Sequence, residues 1–525
     1  MSASYQRIGF RVSGIGYRVS EQSVAELTHS VAQGKTESSL NVVAGIFVLI
    51  TIVRLAGLAT SNVDLFTDEA QYWSWSRELS RGYFSKPPLI AWIIHIAESV
   101  CGSSEACVRA PSPIFYFGTC VVIYLIGRKL YGPVVGLWAA LVMMFSIALE
   151  FSARIISTDV PLLFFWALAL WAYVNLLDRA SWPWAVTLGA SIGLGFLAKY
   201  AMGYFVLGMV LAAVLDRRAR DLLRNRLVWL AFGIALVIAA PNLIWLLHHD
   251  FVTFRNVAAV VQTGSGPRLH PLAALEFLAA QFAVFGPVVF AAFLLAIVKI
   301  RSWENVSANK IMLSFALPPL VIITLVALFS RAYANWAATG AISATILAAA
   351  VLAQARAWRW LTFSIVLGLV VQAALLVGDA AAYRIALPFL PPGKADVYHR
   401  TLGFRDLAHQ AGQFVTTAGA NTIVGEDRNT VAALLYYLRD RPVQIVSWPS
   451  PDVRTFDMTR PLTKDAQPPL IFVTECPSGH RLAAYYASVE KLGEIRSATG
   501  PASSRSHTVF RLSSPRGEFT ALPSC

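Results

Sequence analysis

Charged residues are scarce in this chain. Of its 525 residues, only 14% are Asp, Glu, Lys or Arg and 56% are hydrophobic, whereas a soluble domain carries about a quarter charged residues. Apolar runs of about 17–25 residues, the length that crosses the hydrocarbon core of a bilayer, recur through the first three quarters of the sequence. The composition therefore excludes a soluble globular protein and indicates a polytopic α-helical membrane protein.

Eleven segments have the length and composition of membrane-spanning helices. They lie near residues 40–60, 112–130, 133–151, 160–177, 182–198, 200–215, 227–247, 274–298, 311–330, 336–355 and 360–378. Lys and Arg collect on alternate connections, most densely in the run DRRARDLLRNR. Because cytoplasmic loops carry an excess of Lys and Arg, this bias predicts a cytoplasmic N-terminus and an outer location for the chain after residue 378.

The net charge of +13 is largely explained by this loop bias, so the basic composition does not indicate a nucleic-acid partner. Residues 1–39 contain basic side chains but no early apolar core, which predicts a loose cytoplasmic extension and not a cleaved signal peptide. Residues 40–378 form the predicted transmembrane domain with functional outer loops. The sequence shows no solenoid repeat and no inverted internal symmetry of the transporter kind.

Residues 379–525 hold no stretch long enough to span a membrane and are richer in Gly, Pro and polar residues. The run NTIVGEDRNTVAALLYYLRDRPVQIVS predicts a strand, a turn at GED, a helix and a second strand. PLIFVTE and HTVFRLSS predict further strands. We therefore expect a small α/β domain on the outer, periplasmic face.

The five cysteines follow the same division. Cys101 and Cys107 lie in the first outer loop, Cys476 and Cys525 in the outer domain, and Cys120 inside a span. An oxidising outer compartment permits disulfides within both outer pairs, although spacing alone does not fix the connectivity.

Polar and charged residues also collect at the outer ends of the predicted spans, where membrane topology alone does not require them. They come from three outer loops and are, in chain order, Asp68, Glu69, Tyr72, Tyr83, Lys86, Arg154, Asp159 and Lys199. Charges at membrane depth are costly and generally face a partner or a cavity. Glycosyl transfer from a lipid phosphate needs such a pairing, because a carboxylate takes the proton of the acceptor hydroxyl and cations neutralise the departing phosphate.

The motifs at these positions occur in a characteristic order. They are DEAQYW with YFSKPP, STD before a span, GLGFLAKY, PNLIWLLHHDFVTF and RAYANWAA. Together they resemble the family-39-type glycosyltransferases of the GT-C fold, over residues 45–350. That family includes protein O-mannosyltransferases, the aminoarabinose transferase that acts on lipid A, and the rhizobial galacturonosyltransferases of lipopolysaccharide. The wording DEAQYWSWS with YFSKPPLIAW is more similar to the bacterial galacturonosyltransferase-like branch than to the eukaryotic mannosyltransferases.

The resemblance implies an inverting transfer of a sugar from a polyprenyl-phosphate donor to a lipid A or lipopolysaccharide acceptor, at the outer face of a bacterial inner membrane. Asp68 matches the carboxylate near the acceptor, a candidate general base, and Asp159 a second outer acid. Lys86 matches the lysine that contacts the donor phosphate in the aminoarabinose transferase, and Lys199 a second cation near the donor. Ser85 stands where that relative carries Glu, which leaves any role of the acid open.

Glu69, Tyr72, Tyr83 and Arg154 complete the predicted substrate-binding set, and several candidates have a structural alternative. Glu69 could cap an amphipathic helix over YWSWSREL. Asp159 could cap the helix that starts before Pro161. Lys86 could extend to lipid headgroups, Asp68 could lie in a solvated loop, and Tyr72, Trp73 and Trp75 could form an interfacial belt or pack against helices.

No cofactor is expected, since phosphate leaves readily, although a divalent metal could assist by neutralising charge. His248, His249 and Asp250 offer a metal alternative to plain solvated side chains, and no Cys/His spacing resembles a zinc site. The sugar is not identified by the sequence; a uronic acid would need a further cation, for which Arg154, Arg255 and Arg331 are candidates. The expected partners are membrane lipids, the polyprenyl-phosphate donor and the saccharide or lipid acceptor.

Three other functions remain open at this stage. Protein Ser or Thr is the second acceptor class within the same enzyme family. A secondary transporter would also hold charges at membrane depth, and a non-catalytic lipid-binding protein would tolerate replacement of Asp68 and Lys86.

Overall fold

The computed structural model describes residues 44–262, 269–299, 304–387, 395–451 and 454–525. The extension predicted for residues 1–39 lies outside them. The chain divides into two units, Met1–Ile50 and Thr51–Cys525. Every contact reported below lies within the second unit.

Helices dominate the described residues up to residue 380. In chain order they are α1 (Ala44–Thr60), α2 (Thr67–Ser76), α3 (Leu89–Cys101), α4 (Glu105–Arg109), α5 (Pro111–Tyr131), α6 (Pro133–Met144), α7 (Ile147–Ser152), α8 (Asp159–Asp178), α9 (Trp182–Ala198), α10 (Gly203–Leu215), α11 (Arg217–Leu223), α12 (Arg226–His248), α13 (Val252–Gln262), α14 (Pro271–Val284), α15 (Pro287–Val298), α16 (Val306–Phe329), α17 (Gly340–Gln354) and α18 (Trp358–Ala380). Short 3₁₀ turns at Tyr200–Met202, Ala334–Ala337 and Ala382–Arg384 connect some of them.

Five stretches of the described chain are long and apolar enough to cross a membrane, and six shorter apolar helices accompany them. The long stretches are Glu105–Tyr131, Asp159–Asp178, Arg226–His248, Val306–Phe329 and Trp358–Ala380. Length and composition thus support five spans, or up to six if one bent helix pair counts as a span. The figure of eleven spans stays a prediction.

The continuous span predicted for residues 274–298 is wrong, because the structure has two helices there. The chain bends by 116° between α14 and α15. The break falls at Gly286, whose φ of +90° suits a residue without a side chain, and Pro287 begins the next helix. Hydrophobicity runs unbroken through this turn, which is why the sequence pattern predicted one helix.

A sheet domain, defined here as Phe404–Pro515, follows the helices. Its elements are α19 (Phe404–Ala418), β1 (Thr422–Gly425), α20 (Arg428–Tyr437), β2 (Gln444–Ser447), α21 (Thr455–Thr459), β3 (Leu470–Thr474), β4 (Tyr486–Ala498) and β5 (Ser504–Pro515). The strand order is β2-β1-β3-β5-β4. β1 pairs in parallel with β2 and β3, while β5 runs antiparallel to both β3 and β4.

The sequence predicted β1, α20, β2, β3 and β5, and the structure confirms all of them. It did not predict β4, because this edge strand carries four charges of both signs in the half-exposed run VEKLGEIR, which masks the alternation of a half-buried strand. The predicted turn at GED is confirmed, and Asp427 caps α20 by accepting the N–H of Asn429 at 2.8 Å.

The sheet domain packs on α2 through aromatic side chains. Trp73 meets the ring of Tyr436 edge-on with centroids 5.0 Å apart, and the Trp75 indole donates to Thr455 Oγ1 at 3.2 Å. Both tryptophans belong to the same hydrophobic core as α19 and α20. Of the two structural alternatives for these tryptophans, helix packing is therefore confirmed.

Two disulfides close within the outer cysteine pairs that the sequence permitted. Cys101 joins Cys107 across a separation of 6 residues, and Cys476 joins Cys525 across 49 residues. Cys120 is a free thiol buried in α5.

Removing the longer cross-link should destabilise the sheet domain, because the bridge restricts the unfolded chain. For a loop of this length the chain-entropy contribution is about 4 kcal/mol. We expect Cys476→Ser with Cys525→Ser to lower the melting temperature of the full chain in detergent, and Cys120→Ser serves as the control. A melting temperature equal to that of the wild type would show that the bridge contributes no stability.

Candidate active site

A cavity of about 950 Å³ lies where the helices meet the sheet domain. Its polar wall includes, in chain order, Asp68, Glu69, Gln71, Tyr72, Lys86, Ser157, Thr158, Asp159, Lys199, Asn335, Arg428, Arg454 and Thr455. The predicted residues Asp68, Glu69, Tyr72, Lys86, Asp159 and Lys199 are thus brought together. The last three wall residues come from the sheet domain, which no sequence pattern had connected to the site.

The two acidic residues at the start of α2 face different surroundings: Glu69 faces the protein interior and Asp68 faces the cavity. α2 begins at Thr67, so that Asp68 and Glu69 lie in its first turn, where acids favour a helix N-terminus. Glu69 Oε2 accepts the N–H of Phe66 at 2.9 Å, which confirms the capping alternative for this residue. Successive residues of a helix are about 100° apart around its axis, so Asp68 can face elsewhere.

Glu69 also forms a buried two-bond ion pair with Arg109 of α4. The Nε and Nη2 atoms of Arg109 donate to its two oxygens at 2.9 and 2.7 Å, and the side chains are only 2% and 1% exposed. The N–H of Ile156 donates to Glu69 Oε1 at 3.0 Å. Both carboxylate oxygens of Glu69 are therefore occupied by protein donors, and its surroundings support an anchoring role over the predicted substrate contact.

Arg109 had not been singled out by the sequence analysis. Its remaining donors reach the carbonyl oxygens of Val63 at 2.9 Å and Asp64 at 2.8 Å. The guanidinium therefore holds the segment that leads into α2. Its only sequence signal is a single positive charge in EACVRAPSP, directly before an apolar run.

Asp68 faces the cavity and pairs with Arg428. The guanidinium of Arg428 donates to Asp68 and, at 2.5 Å, to Gln71 Oε1. The side chains of Arg428 and Asp68 are 37% and 44% exposed, so both are accessible from the cavity. Asp427 caps α20 and so fixes Arg428 in the first turn of that helix. The partners are 360 residues apart, beyond the reach of any local pattern.

Asp159 and Lys199 form a second ion pair in the wall. Lys199 Nζ donates to Asp159 Oδ1 at 2.7 Å, and the Asn335 amide donates to Asp159 Oδ2 at 3.0 Å. The N-cap alternative for Asp159 is wrong, because Thr158 holds that position and no side chain caps α8. The carboxylate turns towards the lysine instead.

Lys86 differs from Lys199, because among the described residues it forms no ion pair and no side-chain hydrogen bond. It follows the segment that leaves α2 and lines the cavity. Burial lowers the pKa of Lys86, and the positive charge of Lys199 lowers it further, against the opposing charges of Asp68 and Asp159. An anion bound between the two lysines would offset both the burial of Lys86 and its repulsion by Lys199.

Two predicted substrate contacts lie outside the cavity. Tyr83 stacks on Trp75 with centroids 4.5 Å apart and donates its hydroxyl to the Trp75 carbonyl at 2.9 Å. Arg154 forms an ion pair with Asp379 at the end of α18. Their polar atoms are thus bound by protein groups away from the wall, which corrects their expected positions. Tyr72 does line the cavity.

The other arginines considered for a uronic acid, Arg255 and Arg331, are not among the residues that line the cavity, although Tyr333, on which Arg331 lies, is one of them. Arg255 lies 3.8 Å from Asp250, and Arg331 lies over the ring of Tyr333 at 5.0 Å. Within the described part of the chain, no group of three or more His, Cys, Asp or Glu side chains could hold a metal ion, and that includes the metal alternative at residues 248–250.

Comparison with known proteins places the chain among membrane glycosyltransferases. A family profile described as dolichyl-phosphate-mannose-protein mannosyltransferase matches residues 85–245. The lipid A galacturonosyltransferase RgtD of Rhizobium johnstonii is 36% identical over 399 residues, which cover 75% of this chain and 82% of that protein. The lipopolysaccharide core galacturonosyltransferase RgtA of the same organism is 27% identical, over 53% of this chain and 58% of that protein.

A solved structure shares the fold. ArnT from Cupriavidus metallidurans, bound to undecaprenyl phosphate, superposes with a TM-score of 0.62 and 17% identity, covering 89% of this chain and 97% of that one. The likeness confirms the GT-C type of membrane fold with a C-terminal sheet domain.

Breaking the Glu69–Arg109 pair should destabilise the fold around α2, because one buried charge would remain without its partner. Removal of one member of such a pair costs about 3–5 kcal/mol. We expect Arg109→Leu to lower the melting temperature and the yield of monodisperse protein in detergent. Arg460→Leu is the matched control, because its ion pair with Glu78 is 40% and 55% exposed. Equal melting temperatures for the two variants would contradict an anchoring role.

Proposed function

This chain belongs to the family of membrane glycosyltransferases that contains the lipid A galacturonosyltransferase of Rhizobium johnstonii, and from that premise we propose that it transfers a uronic acid from a polyprenyl-phosphate donor to lipid A or a related lipopolysaccharide acceptor. It is a glycosyltransferase of the bacterial inner membrane. The proposed sugar and acceptor rest on the names of its relatives. The observation that carries the chemistry is that a carboxylate, Asp68, lies in the same cavity as Lys86, a lysine without an ion pair in the part of the chain that the structure describes.

The proposed topology is that of the sequence prediction. Residues 1–39 are a cytoplasmic extension, residues 40–378 a transmembrane domain of eleven spans, and residues 379–525 a periplasmic domain. The cavity then opens at the outer face of the inner membrane, where both a lipid-linked donor and lipid A are accessible. The two disulfides are consistent with an oxidising compartment on that side.

Lys86 and Lys199 bind the donor phosphate in this proposal. Among the described residues Lys86 has no ion-pair partner to displace, and Lys199 keeps Asp159 as an orienting partner 2.7 Å away. As the bond between C1 of the sugar and the phosphate oxygen breaks, its electron pair stays on the phosphate. Two ammonium groups already in place stabilise that developing charge without reorganisation.

Asp68 is the proposed general base. The acceptor hydroxyl attacks C1 from the face opposite the phosphate while Asp68 takes its proton, and a single displacement of this kind inverts the anomeric configuration. Asp159 is assigned to orientation of Lys199 and not to proton transfer, because Lys199 and Asn335 occupy its two oxygens. Tyr72 contributes to the wall beside Asp68.

The proposed activity is tested by mass spectrometry of lipopolysaccharide from a deletion strain, and by transfer in nanodiscs from a synthetic polyprenyl-phosphate galacturonate. We expect the deletion strain to lose a uronic acid from lipid A and the purified protein to restore it. Loss of sugar from a secreted protein, with unchanged lipid A, would instead support a protein acceptor, which the description of the family profile suggests.

Asp68→Asn keeps the shape of the side chain and removes the proton acceptor. We therefore expect donor binding to survive while turnover falls by about 10²–10⁴-fold, the usual range for a general base. Glu78→Gln is the control, since Glu78 directly follows α2, the helix that carries Asp68, and its side chain is 55% exposed. Normal turnover by Asp68→Asn, or a product of retained configuration, would rule out this mechanism.

Lys86→Ala should weaken donor binding and transfer together, by about 2–4 kcal/mol in transition-state terms. Because the pKa of the free Lys86 ammonium is lowered, donor affinity should fall as pH rises through that lowered pKa, where the lysine loses its charge. Lys86→Arg stays charged, so its affinity should not show this alkaline decrease. An alkaline decrease that persists in Lys86→Arg would assign the titration to another group.

A further inference from the structure

We infer that Arg428 and Arg454, both from the sheet domain, form a second anion subsite of the cavity that binds the carboxylate of the donor sugar. This inference rests on the proposed function, because it concerns a uronic acid donor. Such a donor carries two negative groups, the phosphate at C1 and the carboxylate on the far side of the ring. Lys86 and Lys199 account for the first group, and nothing in the mechanism above accounts for the second.

The topology of the sheet brings the two arginines to the same edge. Arg428 follows the end of β1 at Gly425, and Arg454 follows the end of β2 at Ser447. Because β1 and β2 are parallel neighbours, the chain leaves both strands at one edge of the sheet. In open α/β sheets, ligands bind outside the carboxyl ends of the parallel strands. Here that edge forms part of the cavity wall.

The wall carries an excess of positive charge. Its charged side chains in the described chain are Asp68, Glu69, Asp159, Lys86, Lys199, Arg428 and Arg454. The charge of Glu69 is neutralised by Arg109, which lies behind the wall. Two acids then face four bases, so two positive charges are left for ligands. A phosphodiester and a carboxylate would balance them.

The two arginines also have donors to spare. Within the described chain, the guanidinium of Arg454 has no ion pair or hydrogen bond, and the residue is exposed to the cavity. Arg428 uses Nε and Nη2 for Gln71 and Asp68, while Nη1 has no partner among the described residues. The planar guanidinium presents paired N–H groups that match a carboxylate better than a lysine does.

Donor binding in nanodiscs tests the inference without requiring turnover. The probes are polyprenyl-phosphate galacturonate, polyprenyl-phosphate galactose and polyprenyl phosphate alone. For Arg454→Gln we expect galacturonate-donor affinity to fall about 10–100-fold, the usual effect of losing a hydrogen bond to a charged group. Affinity for the two probes without a carboxylate should change less than about threefold, because exposed charges at a distance contribute little.

A matched pair of variants distinguishes the loss of the proposed carboxylate subsite from the loss of the ion pair between Arg428 and Asp68. Arg428→Gln and Asp68→Asn both remove that ion pair, but only Arg428→Gln removes a proposed carboxylate ligand. We expect only Arg428→Gln to weaken the galacturonate donor selectively. Arg496→Gln controls for loss of positive charge on the sheet domain, since its side chain is 75% exposed on β4.

Equal losses for all three probes in Arg454→Gln would overturn the inference, as would equal effects of Arg428→Gln and Asp68→Asn. Unchanged donor affinity with a raised KM for a phosphorylated lipid A acceptor, but not for a dephosphorylated one, would also overturn it and assign the arginines to the acceptor phosphate. Absence of sugar transfer by the wild-type enzyme with either donor would reject the proposed function itself. Transfer by the wild type combined with equal losses in the variants rejects only the subsite.

Discussion

The buried ion pair of Glu69 and Arg109 is the constraint on which the site depends. It connects the first turn of α2 to α4, to the segment before α2 and, through Ile156, to the loop before α8. A buried pair contributes little net stability, because desolvation of both charges offsets their attraction. In this structure the ion pair fixes the positions of the residues around it. With Glu69 held in the interior, the neighbouring Asp68 projects into the cavity, and the loop before α8, the helix that begins at Asp159, is fixed to α2.

The sheet domain depends on the same loops and is a wall of the site. Asp64, which is fully buried, accepts the backbone N–H groups of Phe404 and Arg405 at 2.9 and 3.2 Å. Burial raises the pKa of Asp64 to about 6, against the opposing effect of Arg405. Tyr437 accepts the N–H of Leu65 at 2.8 Å. The start of α19 and the end of α20 are therefore tied to the segment that Arg109 holds, and Arg428 reaches Asp68 as a result.

Local chemistry made part of this arrangement predictable. Long apolar runs indicated the helices, and turn residues indicated the strands. The order of the motifs along the chain indicated six of the residues that line the cavity. The remainder depends on distant parts of the sequence. Arg428 meets Asp68 across 360 residues, and Arg109 is one charge before an apolar run. The turn at Gly286 is hidden because its flanks are uniformly hydrophobic, and Tyr83 could not be excluded from the cavity until its carbonyl partner was known.

The ion pairs around the cavity differ in how readily they can be exchanged. Glu69 and Arg109 have 1% and 2% exposed side chains, so separating them would leave bare charges in a medium of low polarity. Asp68 and Arg428 are 44% and 37% exposed, and a pair of that kind is worth only about 0–1 kcal/mol. In the proposed mechanism, an incoming anion takes the place of Asp68 on Arg428 at small cost, and Asp68 is then available to accept a proton. In the proposed mechanism, two adjacent acids on one helix turn thus have different roles, Glu69 as a fixed anchor and Asp68 as an exchangeable base.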